Sequence, residues 1–233
     1  MLKNRSYKVA HFHLNPTQVG IPNDRPRYFG VAIRVVAAKS SNDSLSRYLN
    51  VEENVQSPPR IQTAIPELNV VSPDNVSNLP PISQFLDQDL SSKNRHGLQI
   101  PDKLLNSRAA WCFDIVTPED RRSACFTQSY GKFVRGTGSV LYTESDKDAE
   151  ACSRFALMPP EEREFNPDWS KGLDLKKNLR YFSGMEVARL MGFDDAVFSF
   201  PTDCTLKQQW KLLGNSLNVQ VASAIVELGL RNI

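Results

Sequence analysis

Between residues 38 and about 103 the chain changes chemical character, and that change limits every architecture the rest of it can adopt. Ser, Asn, Asp and Pro dominate the stretch, with Pro58-Pro59, Pro66, Pro73 and Pro80-Pro81 spaced through it. Fixing a residue's backbone costs about 1–2 kcal/mol of entropy, and so polar a composition buries too little apolar area to offset that. The stretch therefore reads as a mostly flexible linker, with local order returning near Ile82-Ser83-Gln84-Phe85-Leu86. Any core must be built from the segments that flank it.

The segment before it, residues 1–37, reads as two strands joined by a loop. Tyr7 to Leu14 alternates loosely, Asn15-Pro16 and Gly20-Ile21-Pro22-Asn23-Asp24 break the pattern, and Tyr28 to Val36 is a second β-rich run. A hairpin alone is marginal in water, so these strands imply a larger sheet and suggest a truncated domain. After the linker, residues 104–178 read as a small β-rich unit. Ala109–Val116 and Ala124–Thr127 are its expected strands, and Gly131, Gly136 and Gly138 its turns. Residues 179–233 read as helical. Ser183-x-x-Glu186 and Thr205-x-x-Gln208 are capping boxes, the helices they open end at Gly192 and Gly214, and Asn215 or Ser216 caps a last helix with Leu217, Val221, Ile225 and Leu228 on one face.

Charge names no partner, because 28 basic side chains nearly cancel 26 acidic ones. The four cysteines (Cys112, Cys125, Cys152 and Cys204) contain no C-x-x-C pair, which favours reduced thiols in the cytoplasm or nucleus. No apolar run suits a signal peptide or a membrane span. His11, His13 and His96 have no ligand-like spacing with the cysteines, so no metal site is expected.

Three short constellations carry chemistry. Arg25-Pro26-Arg27 places two guanidiniums on one side of an extended segment, either as solvated loop residues or as a bidentate binder of a base carbonyl or phosphate. Arg121-Arg122-Ser123-Ala124-Cys125-Phe126-Thr127 joins charge, thiol, aromatic ring and hydroxyl; read alone, Cys125 is a small core residue, because no histidine base lies near it in sequence. Gly214-Asn215-Ser216, between two helical patterns, offers an amide, a hydroxyl and backbone N–H groups at a presumed helix start suited to a polar ligand. Gly136-Thr137-Gly138-Ser139 lacks a Walker lysine and reads as an ordinary turn.

Taken in order, these segments resemble the C-terminal portion of the cytosine carbon-5 methyltransferases, in particular the type-two branch that methylates tRNA. Gly20-Ile21-Pro22-Asn23-x-Arg25-x-Arg27-Tyr28-Phe29 resembles that branch's Arg-x-Arg motif. Arg121-Arg122-Ser123-x-Cys125-Phe126-Thr127, Tyr130-Gly131 and Gly136-Thr137-Gly138-Ser139 resemble its target-recognition region, and Leu213-Gly214-Asn215-Ser216-Leu217-Asn218-Val219 resembles its closing motif. The resemblance implies an α/β fold: the remnant of a Rossmann-like S-adenosylmethionine methyltransferase domain, with an inserted β-rich target-recognition domain. It implies tRNA as partner, with DNA as the alternative substrate. It implies a flipped target cytosine held near Arg25, Arg27, Arg121, Arg122, Cys125, Phe126 and Thr127, and Asn215 and Ser216 at the methionine end of S-adenosylmethionine.

The family's nucleophile lies in a Pro-Cys-Gln loop, and its main cofactor contact in a Phe-x-Gly-x-Gly loop. The 233 residues contain neither, and their Glu53-Asn54-Val55 falls on the wrong side of Arg25 to be the family's Glu-Asn-Val segment. No catalytic residue is therefore expected here, and the chain alone is expected to be inactive, as an incomplete enzyme or an RNA-binding short form.

Overall fold

The structure, a computed structural model, describes residues 7–34, 60–65, 76–88, 97–143, 158, 160–166, 168, 170–171 and 174–231. Features expected at Val35-Val36, Glu53-Asn54-Val55, Pro58-Pro59, Pro66, Pro73, His96 and Cys152 lie outside these residues.

The opening hairpin forms as its alternation requires. Strand β1 (Tyr7–Leu14) pairs antiparallel with β2 (Arg27–Arg34), in unbroken register from Tyr7↔Arg34 to Leu14↔Arg27. Side chains alternate across a strand, so Ala10, Phe12 and Leu14 are buried together on one face. A short strand β3 (Ile61–Gln62) adds parallel to β1, giving the order β2-β1-β3. The buried face is closed by the last helix, α6 (Val219–Leu230), through Val221, Ile225 and Leu228.

A second sheet carries the rest. Strand β4 (Asp114–Val116) runs parallel to β5 (Ser139–Tyr142), which pairs antiparallel with β6 (Leu179–Arg180). All four β5 residues are buried. Around them lie short helices α1 (Asp102–Leu105), α2 (Pro160–Phe165) and α3 (Leu175–Asn178), then α4 (Gly184–Leu190) and α5 (Leu206–Gly214). Both expected capping boxes are present, at Ser183 with Glu186 and at Thr205 with Gln208. The core here is aromatic: Phe126 meets Tyr130 and Phe182 edge-on at 5.0 and 5.3 Å, and Tyr130 meets Trp210 at 5.0 Å. Tyr130 donates to the Ser139 carbonyl and accepts from the Phe182 N–H, so its polar end is satisfied where water is excluded.

Three local expectations change. Ala110–Cys112 is a 3₁₀ turn and only Asp114–Val116 of that run is strand. Ala124–Thr127 forms no strand; a single bridge joins Ala124 to Asp24, because the neighbouring polar groups bond to an arginine and to the Thr137 carbonyl instead of a ladder. The last helix is capped by Asn218, whose side chain accepts from the Val221 N–H, and not by Asn215 or Ser216. Those two residues end α5, their N–H groups donating back to the carbonyls of Lys211, Leu212 and Leu213.

The described parts of the 38–103 stretch are packed. Ile65 joins the hairpin core, while Leu79, Ile82, Leu98 and Ile100 join the aromatic one. Ile82 and Ser83 donate backbone hydrogen bonds to Asp120 and Pro118, and Leu98 accepts one from Tyr181. Order near Ile82 is as expected; average composition conceals the others because each isolated apolar side chain fills a site built by other segments. No helix among the described residues is long and apolar enough to cross a membrane.

Candidate functional site

The expected site residues come from three segments far apart in sequence, and a buried arginine draws them together. Arg25 is 2% exposed. One terminal nitrogen of its guanidinium donates to the Phe126 carbonyl at 2.5 Å and to the Cys125 thiol at 3.1 Å. The other donates to the carbonyls of Gly214 at 2.9 Å and Ser216 at 2.6 Å. Its Nε is buried without a partner among the described residues. Burial pulls the Arg25 pKa below its ordinary value, opposed by the Cys125 thiol, yet an arginine stays charged throughout the physiological range. A planar fork of five donors suits this junction, whereas a lysine offers a single point of charge.

The strip leading to Arg25 is fastened to the same recognition segment. Asp24 donates to the Ser123 carbonyl and Ser123 to that of Pro22, each through the backbone. The buried Asn23 amide donates to the Ser123 hydroxyl and the Ala124 carbonyl, both at 3.0 Å. At the third segment Gly214 has no substitute. A Cβ on it would lie 2.1 Å from the Gln128 nitrogen and 2.2 Å from the Thr127 carbonyl carbon, so the end of α5 abuts the backbone that follows Cys125 and Phe126.

This geometry divides the expected binding residues. Both terminal nitrogens of Arg25 are engaged with protein carbonyls and the Cys125 thiol, which makes the residue a clamp. Phe126, 1% exposed, points into the aromatic core. The Thr127 hydroxyl accepts from the Ser129 N–H and lies 3.5 Å from the Thr137 carbonyl, holding a loop. Arg121 donates to the Leu79 carbonyl, and Arg122 lies 3.7 Å from Asp24 and 3.9 Å from Asp114. Arg27 and Cys125 are left at the surface, half-buried, with an Arg27 nitrogen 3.6 Å from the thiol and another donating to the Pro26 carbonyl. A guanidinium so placed retains N–H donors for an incoming carbonyl or phosphate oxygen.

Asn215 and Ser216 lie beside the clamp, but with their backbone N–H groups consumed by α5 they do not form a free helix start. The exposed Asn215 side chain lines an open concavity of about 380 Å³ with Cys204, Gln208, Lys211 and Leu212. The Ser216 hydroxyl donates to the Leu217 carbonyl. The buried Asn23–Ser123 pair beside Arg25 was not singled out by sequence pattern, since nothing local marks a polar residue that is buried by a distant segment.

Comparison with known proteins follows the same segments. The family described as C-5 cytosine-specific DNA methylase matches residues 1–228. The chain is 32% identical to a tRNA (cytosine(38)-C(5))-methyltransferase of Homo sapiens over 97% of its own length and 64% of that protein's. It is 31% identical to a DNA (cytosine-5)-methyltransferase of Dictyostelium discoideum over 96% of its length and 57% of the relative's. Among solved structures, a DNMT2 mutant of Spodoptera frugiperda superposes with a TM-score of 0.69 at 27% identity, covering 98% of this chain and 60% of that one. The Dnmt2 methyltransferase of S. pombe gives 0.65 at 28%, covering 98% and 57%. The chain thus spans about three-fifths of the length of the proteins it matches.

Proposed function

The chain belongs to the C-5 cytosine-specific DNA methylase family, and from that premise we propose that it supplies substrate recognition and the closing cofactor motif of a tRNA cytosine-5 methyltransferase. The family implies S-adenosylmethionine as cofactor, which when bound supplies the methyl group. In this reading residues 104–178 are the target-recognition domain. Arg27 and Cys125 face the target cytosine, with Arg27 offering donors to its ring oxygen or an adjoining phosphate. The Asn215 amide, which has no hydrogen-bond partner among the described residues, and the Ser216 hydroxyl hold the methionine end of S-adenosylmethionine.

One observation carries the proposal: the Arg25 clamp. It joins the Arg-x-Arg, Cys-Phe-Thr and Gly-Asn-Ser motifs at a single guanidinium, so substrate and cofactor elements share one rigid junction. A junction of this kind lets the position of the flipped base depend on the same hydrogen bonds that position the cofactor wall.

The 233 residues hold no Pro-Cys-Gln loop, so the reading assigns the attacking thiolate to no residue among them and does not promote Cys125 to that role. The test is twofold. Purified chain is titrated with tRNA over a range of salt, then incubated with tRNA and radiolabelled S-adenosylmethionine. The expected result is binding whose logarithm falls linearly with that of salt concentration, as counterion release requires, without incorporated label. Absence of tRNA binding overturns the recognition role, and label in tRNA overturns the assignment of no catalytic residue. The Dictyostelium relative's name motivates a second reading, in which DNA is the substrate. Equal competition by a DNA hairpin of the same sequence would favour it.

A further inference from the structure

The loop that leaves the Cys125–Thr127 segment displays a combination none of the roles above uses. Its feet are tied together, the Thr127 N–H donating to the Thr137 carbonyl at 2.9 Å. Between them Tyr130 and Lys132 donate backbone bonds to Thr127 and Ser129, and the Thr137 hydroxyl donates to the Phe133 carbonyl at 2.8 Å. Tyr130 and Val134 are buried, and Gly131 lies so close to Trp210 that a Cβ would come within 2.5 Å of the indole. The backbone is therefore pinned from inside.

What this pinned backbone presents to solvent is basic and aromatic. Phe133 is 56% exposed, and Lys132 and Arg135 beside it are exposed as well. The Lys132 ammonium lies 5.2 Å from the Phe133 ring centroid. Among the described residues no carboxylate pairs with Lys132 or Arg135. An exposed ring on a mobile loop would lose entropy on binding, whereas this one is already held. Neighbouring cations favour an anionic partner, and the exposed ring favours a flat one.

We propose that Lys132, Phe133 and Arg135 form a stacking platform for an unpaired nucleotide of the bound RNA, one that neighbours the target cytosine. The inference rests on the reading of this chain as an RNA-recognition unit and names the contact that reading lacks. The base lies on Phe133, and Lys132 and Arg135 meet the phosphates on either side. Stacking of this kind tolerates any base and discriminates instead for unpaired over duplex RNA.

The probe is an RNA hairpin carrying an adenine-analogue fluorophore in its unpaired loop, titrated into the full chain, with an RNA duplex of equal length as control. Wild type is expected to quench the fluorophore on binding and to prefer the hairpin. Phe133→Ala should lose the quench and weaken binding by roughly five- to a hundredfold, and Phe133→Tyr should keep both. Lys132→Glu with Arg135→Glu should weaken hairpin binding and flatten its salt dependence. Thermal melts identify any variant that fails to fold, and the conservative Phe133→Tyr and the charge variants then carry the test. If wild type binds the hairpin while Phe133→Ala binds and quenches equally well, the platform is wrong and the recognition role stands. Equal loss of hairpin and duplex binding by Phe133→Ala also overturns it. Failure of wild type to bind RNA at all overturns the recognition role itself, and the platform with it.

Discussion

The molecule contains two cores built on different terms. The hairpin core is thin and mostly aliphatic: Ala10, Phe12, Leu14, Val31 and Ile65 against Val221, Ile225 and Leu228 of α6. On the other face of the hairpin sheet Tyr28 and Ile61 are exposed, as are Val226 and Leu230 on α6. The second core wraps β5 with interlocked rings and contains the Arg180–Glu186 ion pair, its partners 6% and 0% exposed. Glu186 accepts both Arg180 nitrogens at 2.7 Å as well as the Asp87 and Ser183 N–H groups, so its charge is compensated on every side. One region is closed by a single helix and the other closes on itself. The hairpin's position is therefore expected to depend on attachment to its neighbour, to which the Arg25 and Asn23 hydrogen bonds contribute.

Removing the attachment should have the largest effect. Arg25→Ala leaves the Gly214, Ser216 and Phe126 carbonyls without their shared donor and is expected to cost about 3–5 kcal/mol. Denaturant unfolding followed by tryptophan fluorescence and far-UV circular dichroism should separate into two transitions. Arg25→Lys should not restore one, since an ammonium cannot reach all four acceptors. A single unchanged transition in either variant would break the comparison. Next come matched truncations. Phe182→Ala in the ring core should cost about 4 kcal/mol, and Ile65→Ala in the thinner core about 2 kcal/mol, because a site roofed by one helix collapses more readily. Equal losses by calorimetry would show that the two cores are equally rigid.

A smaller effect is expected at the cap that aims α6 at the hairpin. Asn218→Ala should cost about 1 kcal/mol, read as a lower midpoint of the single unfolding transition. The last effect is one of pH and belongs to the ionisation of Tyr130, which is silent at neutral pH. Burial raises its pKa well above the ordinary 10.0, with the Phe182 backbone hydrogen bond opposing. Below pH of about 10 the phenol is neutral in both states and adds no pH dependence. Above it the unfolded chain releases a proton that the folded chain retains, so stability falls as pH rises. Tyr130→Phe should flatten that alkaline slope in pH-dependent melts, and an unchanged slope would place the effect elsewhere.

Sequence pattern located the strands of the hairpin and the three C-terminal helices, because period and capping chemistry are local. Ser183 with Glu186 and Thr205 with Gln208 act within one helical turn and read the same in isolation as in the fold. It was poorest where partners are distant. Ile65, Leu79, Leu98 and Ile100 vanish in a polar average, although each fills a buried site. Ala124–Thr127 has strand composition but finds no neighbouring strand. Phe133 and its flanking cations carried no signal, since exposure of an aromatic ring is decided by the packing of Tyr130, Val134 and Gly131 beneath it.

Motifs and their order placed the chain in its family before any coordinates, and they did so because residue identity at Arg25, Arg27, Cys125, Gly214 and Asn215 is a property of the chain itself. The work each residue does was decided by the tertiary structure. Arg25 and Arg27 are equivalent on paper, one residue apart in an extended run, and only the approach of Gly214 and Phe126 makes the first a buried clamp and leaves the second half-buried at the surface. A hydrogen bond needs its acceptor within about 3 Å, and the acceptors here lie in segments that only the folded chain brings into range.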